Sequence, residues 1–146
     1  MGYSIENFIY DLERLKVSLP TEAERLIKGE LKEQIIDLNR EDQLFNQGID
    51  SNGKFLGYYS SFTIMEKKQR GLPYNRTTLF DSGDFYNGFD LLISENSIRF
   101  FSRDSKTLLL QDKYDSGIFG LIKSNAEKMN YMLLAPKLEE FIRKSI

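Results

Sequence analysis

The chain has 146 residues, of which 40% are hydrophobic, and this size predicts one hydrophobic core in a single domain covering residues 1–146. The 20 basic and 22 acidic residues leave a net charge of -2, which argues against broad binding to the phosphate backbone of nucleic acids. The absence of cysteine and histidine excludes disulfides, thiolate chemistry and the Ser-His-Asp triad. Any catalysis would have to use carboxylates, lysine or tyrosine.

The N-terminal part of the sequence predicts two long helices. Apolar residues recur at intervals of three and four between residues 3 and 17, and Pro20 is expected to end this helix. Thr21 and Glu24 have the spacing of a capping box, so a second helix is expected to start there, with an apolar stripe that reaches Leu38, and to fade between Phe45 and Gly48. The sequence has no apolar run of about 18 residues, and a membrane-spanning helix is therefore not expected.

Turn residues and aromatic residues alternate in the middle of the chain. The segment Asp50-Ser51-Asn52-Gly53 predicts a turn, because Asn-Gly suits positive φ angles. The aromatic residues that follow, between residues 55 and 64, are interpreted as a partly extended, irregular segment. Lys67, Lys68 and Arg70 lie next to Gly71 and are interpreted as a solvated loop.

A second turn is predicted between residues 74 and 89. Asp81, Ser82 and Gly83 are short polar residues and a glycine, which favour a sharp chain reversal. Phe85 follows the turn and is expected to anchor it to the core. These residues are therefore predicted to have a structural role in shaping the chain.

The remaining sequence predicts a small sheet and C-terminal helices. Residues 89–93 and 97–102 have strand composition and are separated by Glu95 and Asn96, which predicts a projecting β-hairpin. Residues 107–110 are a candidate third strand, and residues 114–121 are interpreted as a loop. Ser124 and Glu127 repeat the capping-box spacing, and Pro136 suits the first residue of a final helix, so the C-terminus is predicted to form a short helix, a break and a final helix. The predicted fold class is α+β, with long N-terminal helices, a small antiparallel sheet and a C-terminal helix.

Three stretches of the sequence resemble a family of virion proteins. In chain order they read NREDQLFNQGIDSNGKFLGYYS, LFDSGDFYNGF and KYDSGIFGL. Their order and spacing resemble small virion proteins of Bacteroides phages and prophages, including the crAss-like group. The glycine turn and the β ribbon that follows it resemble the tail-completion, or head-to-tail joining, proteins of tailed phages. Ser82 stands where such proteins often carry threonine.

The resemblance implies a structural protein of the phage neck rather than an enzyme. Such a protein would be assembled in the bacterial cytoplasm and incorporated into the virion, without a cofactor or membrane. It would form a homo-oligomeric ring, with six- or twelve-fold symmetry, that connects the portal to the tail and lets DNA pass without specific binding. The hairpin at residues 89–102 and the segment 58–74 are the expected docking elements, and the candidate interface residues are Tyr58, Tyr59, Tyr74, Tyr86 and Phe89.

The alternative hypothesis is a small nuclease or hydrolase that depends on a divalent metal. Hard cations such as Mg²⁺ prefer several oxygen ligands, and the candidate ligands are Asp81, Asp84, Asp90 and Asp104. Aspartate is also favoured beside glycine turns because it bonds to its own backbone. The sequence therefore favours a structural role for these residues, without a metal or a catalytic residue.

Overall fold

The computed structural model describes residue 2, residues 4–95 and residues 97–145. The predicted α+β class is confirmed, because helices account for most of these residues and two strands form one antiparallel sheet. The α-helices are α1 (Ile5–Lys28), α2 (Lys32–Asp37), α3 (Ser61–Gln69), α4 (Asp84–Asn87), α5 (Thr107–Tyr114), α6 (Lys123–Lys128) and α7 (Ala135–Ser145), and the strands are β1 (Phe89–Ser94) and β2 (Ser97–Ser102).

The first helix is longer than the sequence predicts. The prediction that Pro20 ends it is wrong, because α1 continues through Pro20 to Lys28. Pro20 and Lys16, whose carbonyl loses its helical donor, are both exposed, so water can hydrate that carbonyl. Thr21 consequently lies within a helix and caps nothing, while Gly29 is the C-cap. Tyr3, at which the predicted helix begins, lies outside the described residues.

A π-helical segment extends α2. It covers Leu38–Gln47, and α2 leads into it without a break because Leu38 keeps right-handed helical dihedrals. Gly48 ends the segment with a φ of 64°, a left-handed conformation that glycine adopts at low cost. The predicted turn at residues 50–53 then follows, with a φ of 78° at Gly53.

The hairpin has the predicted strands. Phe89 pairs with Ser102 at its base, and Ser94 pairs with Ser97 at its tip. The base is buried and the tip is exposed, so the hairpin projects from the core. Asn96, in the predicted connection, lies outside the described residues.

The prediction of a third strand is wrong. Residues 107–110 begin α5, which makes no ladder with the hairpin. The three leucines at 108–110 have a strong helix propensity, which outweighs the strand propensity of the β-branched Thr107.

The C-terminal helices are continuous, and the predicted break between them is absent. The segment between α6 and α7, Met129–Leu134, is π-helical, and Ala135 keeps helical dihedrals. Pro136 is the second residue of α7 and cannot donate a backbone hydrogen bond, which accounts for the altered bonding pattern just before it. The capping prediction at Ser124 is also wrong, because α6 begins one residue earlier, with Ile122 as its N-cap.

The segment with aromatic residues at 55–64 is only partly irregular. Its last four residues belong to α3, whose N-cap Ser60 accepts a hydrogen bond from the backbone N–H of Thr63. Lys67 and Lys68 therefore lie on a helix rather than in a loop, and Lys67 is buried.

One cluster of buried side chains joins these elements. It lies between the second half of α1, α2 with its π-helical extension, the α4 turn and the hairpin base. Its members include Leu26, Ile27, Leu31, Ile35, Ile36, Leu44, Phe85, Phe89, Leu91, Phe100, Ile118 and Leu134.

Candidate interaction surfaces

The predicted turn is present and is held by Arg70. Gly83 has a φ of 96° and caps α4, and the Ser82 hydroxyl accepts a hydrogen bond from the Asp84 backbone N–H at 3.3 Å. The Arg70 guanidinium donates to the carboxylate of Asp81 at 2.6 Å and to its carbonyl at 2.8 Å. This bonding keeps the pKa of Asp81 below its usual value. Arg70 therefore fixes the turn against the end of α3.

The aromatic residues after the turn form the centre of the core. Phe85, Tyr86 and Phe89 are between 4% and 6% exposed and contact one another edge to face. The Tyr86 hydroxyl donates to the Thr78 carbonyl at 2.6 Å, and burial raises the pKa of this tyrosine. The expectation that Tyr86 and Phe89 lie at an interface is corrected by this burial, whereas the anchoring role predicted for Phe85 agrees with it.

The other candidate interface tyrosines differ in exposure. Tyr58 is 79% exposed and Tyr74 is 43% exposed, so both side chains are accessible to another chain. Tyr59 is half-buried, and its hydroxyl accepts a hydrogen bond from the Thr78 backbone N–H at 2.9 Å. The Lys67 ammonium lies 4.8 Å from the centre of the Tyr59 ring. Tyr59 therefore stabilises the segment between residues 58 and 78 through contacts inside its own chain, with Thr78 and Lys67.

A groove lies between α3, α5 and the turn at residues 81–84, and we name it the α3–α5 groove. Its cavity has a volume of about 340 Å³. The aromatic and aliphatic side chains of its lining are buried or half-buried, and the charged side chains other than the buried Lys67 are exposed at its mouth. The lining residues from the two helices include Thr63, Glu66 and Lys67 of α3 and Leu110, Lys113 and Tyr114 of α5. The predicted turn residues form the third wall.

The charges at the groove leave an excess of lysines. Arg70 pairs with both acidic lining residues, at 3.3 Å from Glu66 and 2.6 Å from Asp81. Within residues 4–95 and 97–145, neither Lys106 nor Lys113 has a carboxylate within ion-pair distance. The mouth of the groove is therefore basic, in a chain whose net charge is -2.

The candidate metal ligands do not form a cluster. No group of three or more acidic side chains is arranged to hold a metal among the described residues. Asp90 pairs with Lys32 at 2.7 Å and also with Arg103. Desolvation opposes ionisation of Asp90, but the hydrogen bonds from Lys32 and Arg103 outweigh it and lower its pKa to about 2. Asp90 and Asp81 are thus both neutralised by basic side chains.

The first half of α1 carries apolar side chains that its own chain leaves exposed. Helix α7 runs back along α1, with Lys137 paired to Glu30 and with Ser145 beside residues 10–18. Residues 5–9 extend past this contact, and we name residues 5–12 the α1 overhang because their apolar side chains are exposed. The exposed fractions of its apolar side chains are 71% for Ile5, 42% for Phe8, 50% for Ile9, 61% for Tyr10 and 42% for Leu12.

Further exposed apolar side chains lie beside the α3–α5 groove. Phe62 is 74% exposed on α3, and Leu109 is 71% exposed on α5. Each lies one helical turn before a lining residue of the groove, because Phe62 is four residues before Glu66 and Leu109 is four residues before Lys113. The groove therefore has an apolar rim as well as a basic mouth.

A buried set of amide side chains is absent from the sequence predictions. Asn39 and Gln43 lie one turn apart on the π-helical segment. Asn39 accepts from the Gly120 N–H and donates to the Ile118 carbonyl, while Gln43 donates to the Gly120 carbonyl and accepts from the Ile122 N–H, at 2.8 to 3.0 Å. Asn125 donates to Gln43 at 3.1 Å. We name Asn39, Gln43 and Asn125 the amide clamp, because they hold the segment 118–122 on the helix.

Comparison with known proteins gives no relative for this chain: no family model, curated protein or solved structure matches it. Within the described residues, no helix is long and apolar enough to cross a membrane.

Proposed function

We propose that this chain is a non-enzymatic assembly subunit that forms a ring in the neck of a phage virion, between the portal and the tail. The observation that carries the proposal is the α1 overhang, where a regular helix presents apolar side chains to water. The resemblance of the three sequence stretches to head-to-tail joining proteins supplies the location in the virion.

The overhang has the properties of a helix that needs a partner. Isolated helices shorter than about 12 residues are marginal in water, and most helix stability in proteins comes from packing of an apolar face. Burial of a large aliphatic or aromatic side chain contributes about 1.5–3 kcal/mol. Covering Ile5, Phe8, Ile9 and Leu12 would therefore contribute several kcal/mol, which must offset the entropy of association.

A ring also requires a second, complementary surface on each subunit. Rings repeat one heterologous contact until rotation closes the assembly. The chain presents further exposed apolar residues away from the overhang, at Tyr58 and Phe62 and on α5. Its small negative charge suits a channel that DNA must pass through without adhering.

The proposal is tested by native mass spectrometry and negative-stain imaging of the purified protein, alone and mixed with portal protein from the same genome. We expect a closed ring, either in solution or on the portal. The Phe8→Glu/Ile9→Glu variant should remain monomeric in both samples. The control is Val17→Glu, which adds one negative charge to α1 about 80° outside the apolar stripe that contains Ile9.

Two outcomes would contradict the proposal. A wild-type protein that stays monomeric with and without portal would rule out the ring. A Phe8→Glu/Ile9→Glu variant that assembles as well as Val17→Glu would show that the overhang is not the contact surface. Circular dichroism of each variant is needed to confirm that the helices remain folded.

A further inference from the structure

We infer that the α1 overhang of one subunit docks into the α3–α5 groove of the next subunit. The inference rests on the proposed function and specifies its contact: a helix of one copy in a groove of another, repeated head to tail. The observations that carry it are the apolar face of the overhang, the apolar rim of the groove and the opposite charges that border each of them.

The overhang has an apolar face with one acidic edge. At about 100° per residue, Ile5, Phe8, Ile9 and Leu12 lie within about 100° of one another around the helix. Glu6 and Glu13 are seven residues apart and therefore share one side of the helix, next to the apolar face. An amphipathic helix with this pattern is suited to a groove with apolar walls and a basic border.

The α3–α5 groove has the complementary character. Phe62 and Leu109 provide an apolar rim, and the cavity of about 340 Å³ can accommodate a large side chain such as that of Phe8. Lys106, the N-cap residue of α5, and Lys113 are seven residues apart, as are Glu6 on the overhang and Glu13 immediately after it. The two pairs of charges can therefore be matched along parallel or antiparallel helices.

The dimensions of the two surfaces also agree. Residues 5–12 span about 12 Å along the helix axis, and α3 and α5 have 9 and 8 residues, or about 12–14 Å. A groove between two helices of this length can contact the overhang along its whole apolar face. Pairing of two overhangs, by contrast, would bring the glutamates of both copies to one interface and leave the basic groove uncovered.

Docking of this kind gives each subunit one donor surface and one acceptor surface. The overhang and the groove are different surfaces, so the contact is heterologous and repeats from subunit to subunit. Such a chain of contacts closes into a ring or continues as a filament. A two-fold symmetric dimer through the overhangs would instead use the same surface on both copies.

The experiment mixes two variants that each lack one surface. The overhang variant is Phe8→Glu/Ile9→Glu, and the groove variant is Lys106→Glu/Lys113→Glu. The control for the groove variant is Lys123→Glu/Lys128→Glu, which makes the same charge change at exposed positions of α6. Native mass spectrometry, with portal protein added where wild-type assembly requires it, reports the oligomers of each variant and of the mixture.

We expect each variant alone to raise the concentration needed for assembly by about tenfold or more, and the control to leave it unchanged. The equimolar mixture should give a 1:1 heterodimer that does not grow, because only one intact overhang and one intact groove remain. A Glu6→Lys/Glu13→Lys variant should bind the groove variant more tightly than the wild-type overhang does, since the charges are exchanged on both sides.

The outcomes separate this inference from the proposed function. Wild-type rings together with normal assembly of the groove variant would overturn the docking site and leave the ring intact. Symmetric dimers formed by the groove variant alone would assign the overhang to overhang–overhang pairing and overturn the inference as well. A wild-type protein that remains monomeric on its own and with portal would overturn both proposals.

Discussion

The two halves of α1 continue one apolar stripe but differ in what covers it. In the second half, Leu26 is 2% exposed and Ile27 is 7% exposed, because α7 and the rest of the core pack against them. In the first half, Ile5 is 71% exposed and Ile9 is 50% exposed, because α7 ends beside residues 10–18. The same sequence pattern therefore forms core in one half and surface in the other.

This difference shows what an apolar period can and cannot specify. The recurrence of apolar residues fixes which face of a helix avoids water, but the length of the neighbouring element decides where that face is covered. In this chain α1 has 24 residues and α7 has 11. The excess length of α1 is the part for which we propose a partner from another subunit.

The largest expected effect comes from truncating one side chain in each half of the stripe. Leu26→Ala should lower the free energy of unfolding by about 2–5 kcal/mol, because it removes a buried side chain and leaves a cavity. Ile9→Ala should lower it by no more than about 0.5 kcal/mol in the monomer, since the side chain is half exposed. Urea unfolding at a protein concentration too low for assembly measures both.

The order of the two variants reverses when assembly is measured instead of stability. Ile9→Ala should weaken oligomerisation, whereas Leu26→Ala should affect it only through the loss of folded protein. If Ile9→Ala destabilises the monomer as much as Leu26→Ala, the overhang packs on its own chain in solution, and the comparison between the two halves of α1 is wrong.

The amide clamp provides a second test, in a region where buried polar groups find their hydrogen-bond partners within the same chain. Gln43→Leu should cost about 2–4 kcal/mol of stability, because it leaves the Gly120 carbonyl and the Ile122 N–H without their partners. The matched control is Gln34→Leu on α2, where the glutamine is exposed and the same substitution should change stability by about 0.5 kcal/mol or less. Thermal or urea unfolding compares the two.

Equal stabilities for Gln43→Leu and Gln34→Leu would show that water or a rearranged segment replaces the clamp bonds. Hydrogen exchange at the Gly120 and Ile122 amides is the more local measurement. These amides should exchange faster in Gln43→Leu, and the Asp84–Asn87 amides of α4 should be unaffected.

The features that local chemistry determines are those predicted from the sequence. The turn at residues 81–84 requires a positive φ at Gly83, and the turn at residues 50–53 requires one at Gly53, so both positions are readable from the residue types. The hairpin is likewise predicted because its two strands are adjacent in the chain. The α+β class follows from these elements and the helical period of the N-terminal residues.

The features that depend on distant partners could not be predicted. Tyr86 resembles an interface tyrosine in sequence, and only the fold shows that Thr78 accepts its hydroxyl hydrogen bond inside the core. Asn39 and Gln43 are separated by about 80 residues from the backbone groups they bind. Pro20 is likewise an exception to the rule that proline ends a helix, because it lies on the solvent-exposed side of α1.

The smallest expected effect concerns Asp90. This residue of β1 forms an ion pair with Lys32 of α2, away from the overhang and the groove. Its pKa of about 2 is lower than the ordinary aspartate value of 3.8, so the folded state favours the carboxylate. This contribution is complete above about pH 5, and it is lost as the pH falls through 4 towards 2. We expect it to be about 1–2 kcal/mol.

The measurement is the difference in unfolding free energy between the wild type and Asp90→Asn from pH 7 to pH 2. The difference should be largest at pH 7 and should shrink below pH 4, because protonation removes from the wild type the ion pairs that the variant already lacks. Assembly at pH 7 should be unchanged, since Asp90 lies in neither the overhang nor the groove. A difference that does not vary with pH would mean that Asp90 stabilises the hairpin by packing and backbone hydrogen bonding rather than by charge. A loss of assembly in a stably folded Asp90→Asn protein would mean that the two regions of the molecule are coupled, because a change confined to the core side would then have altered the contact surface.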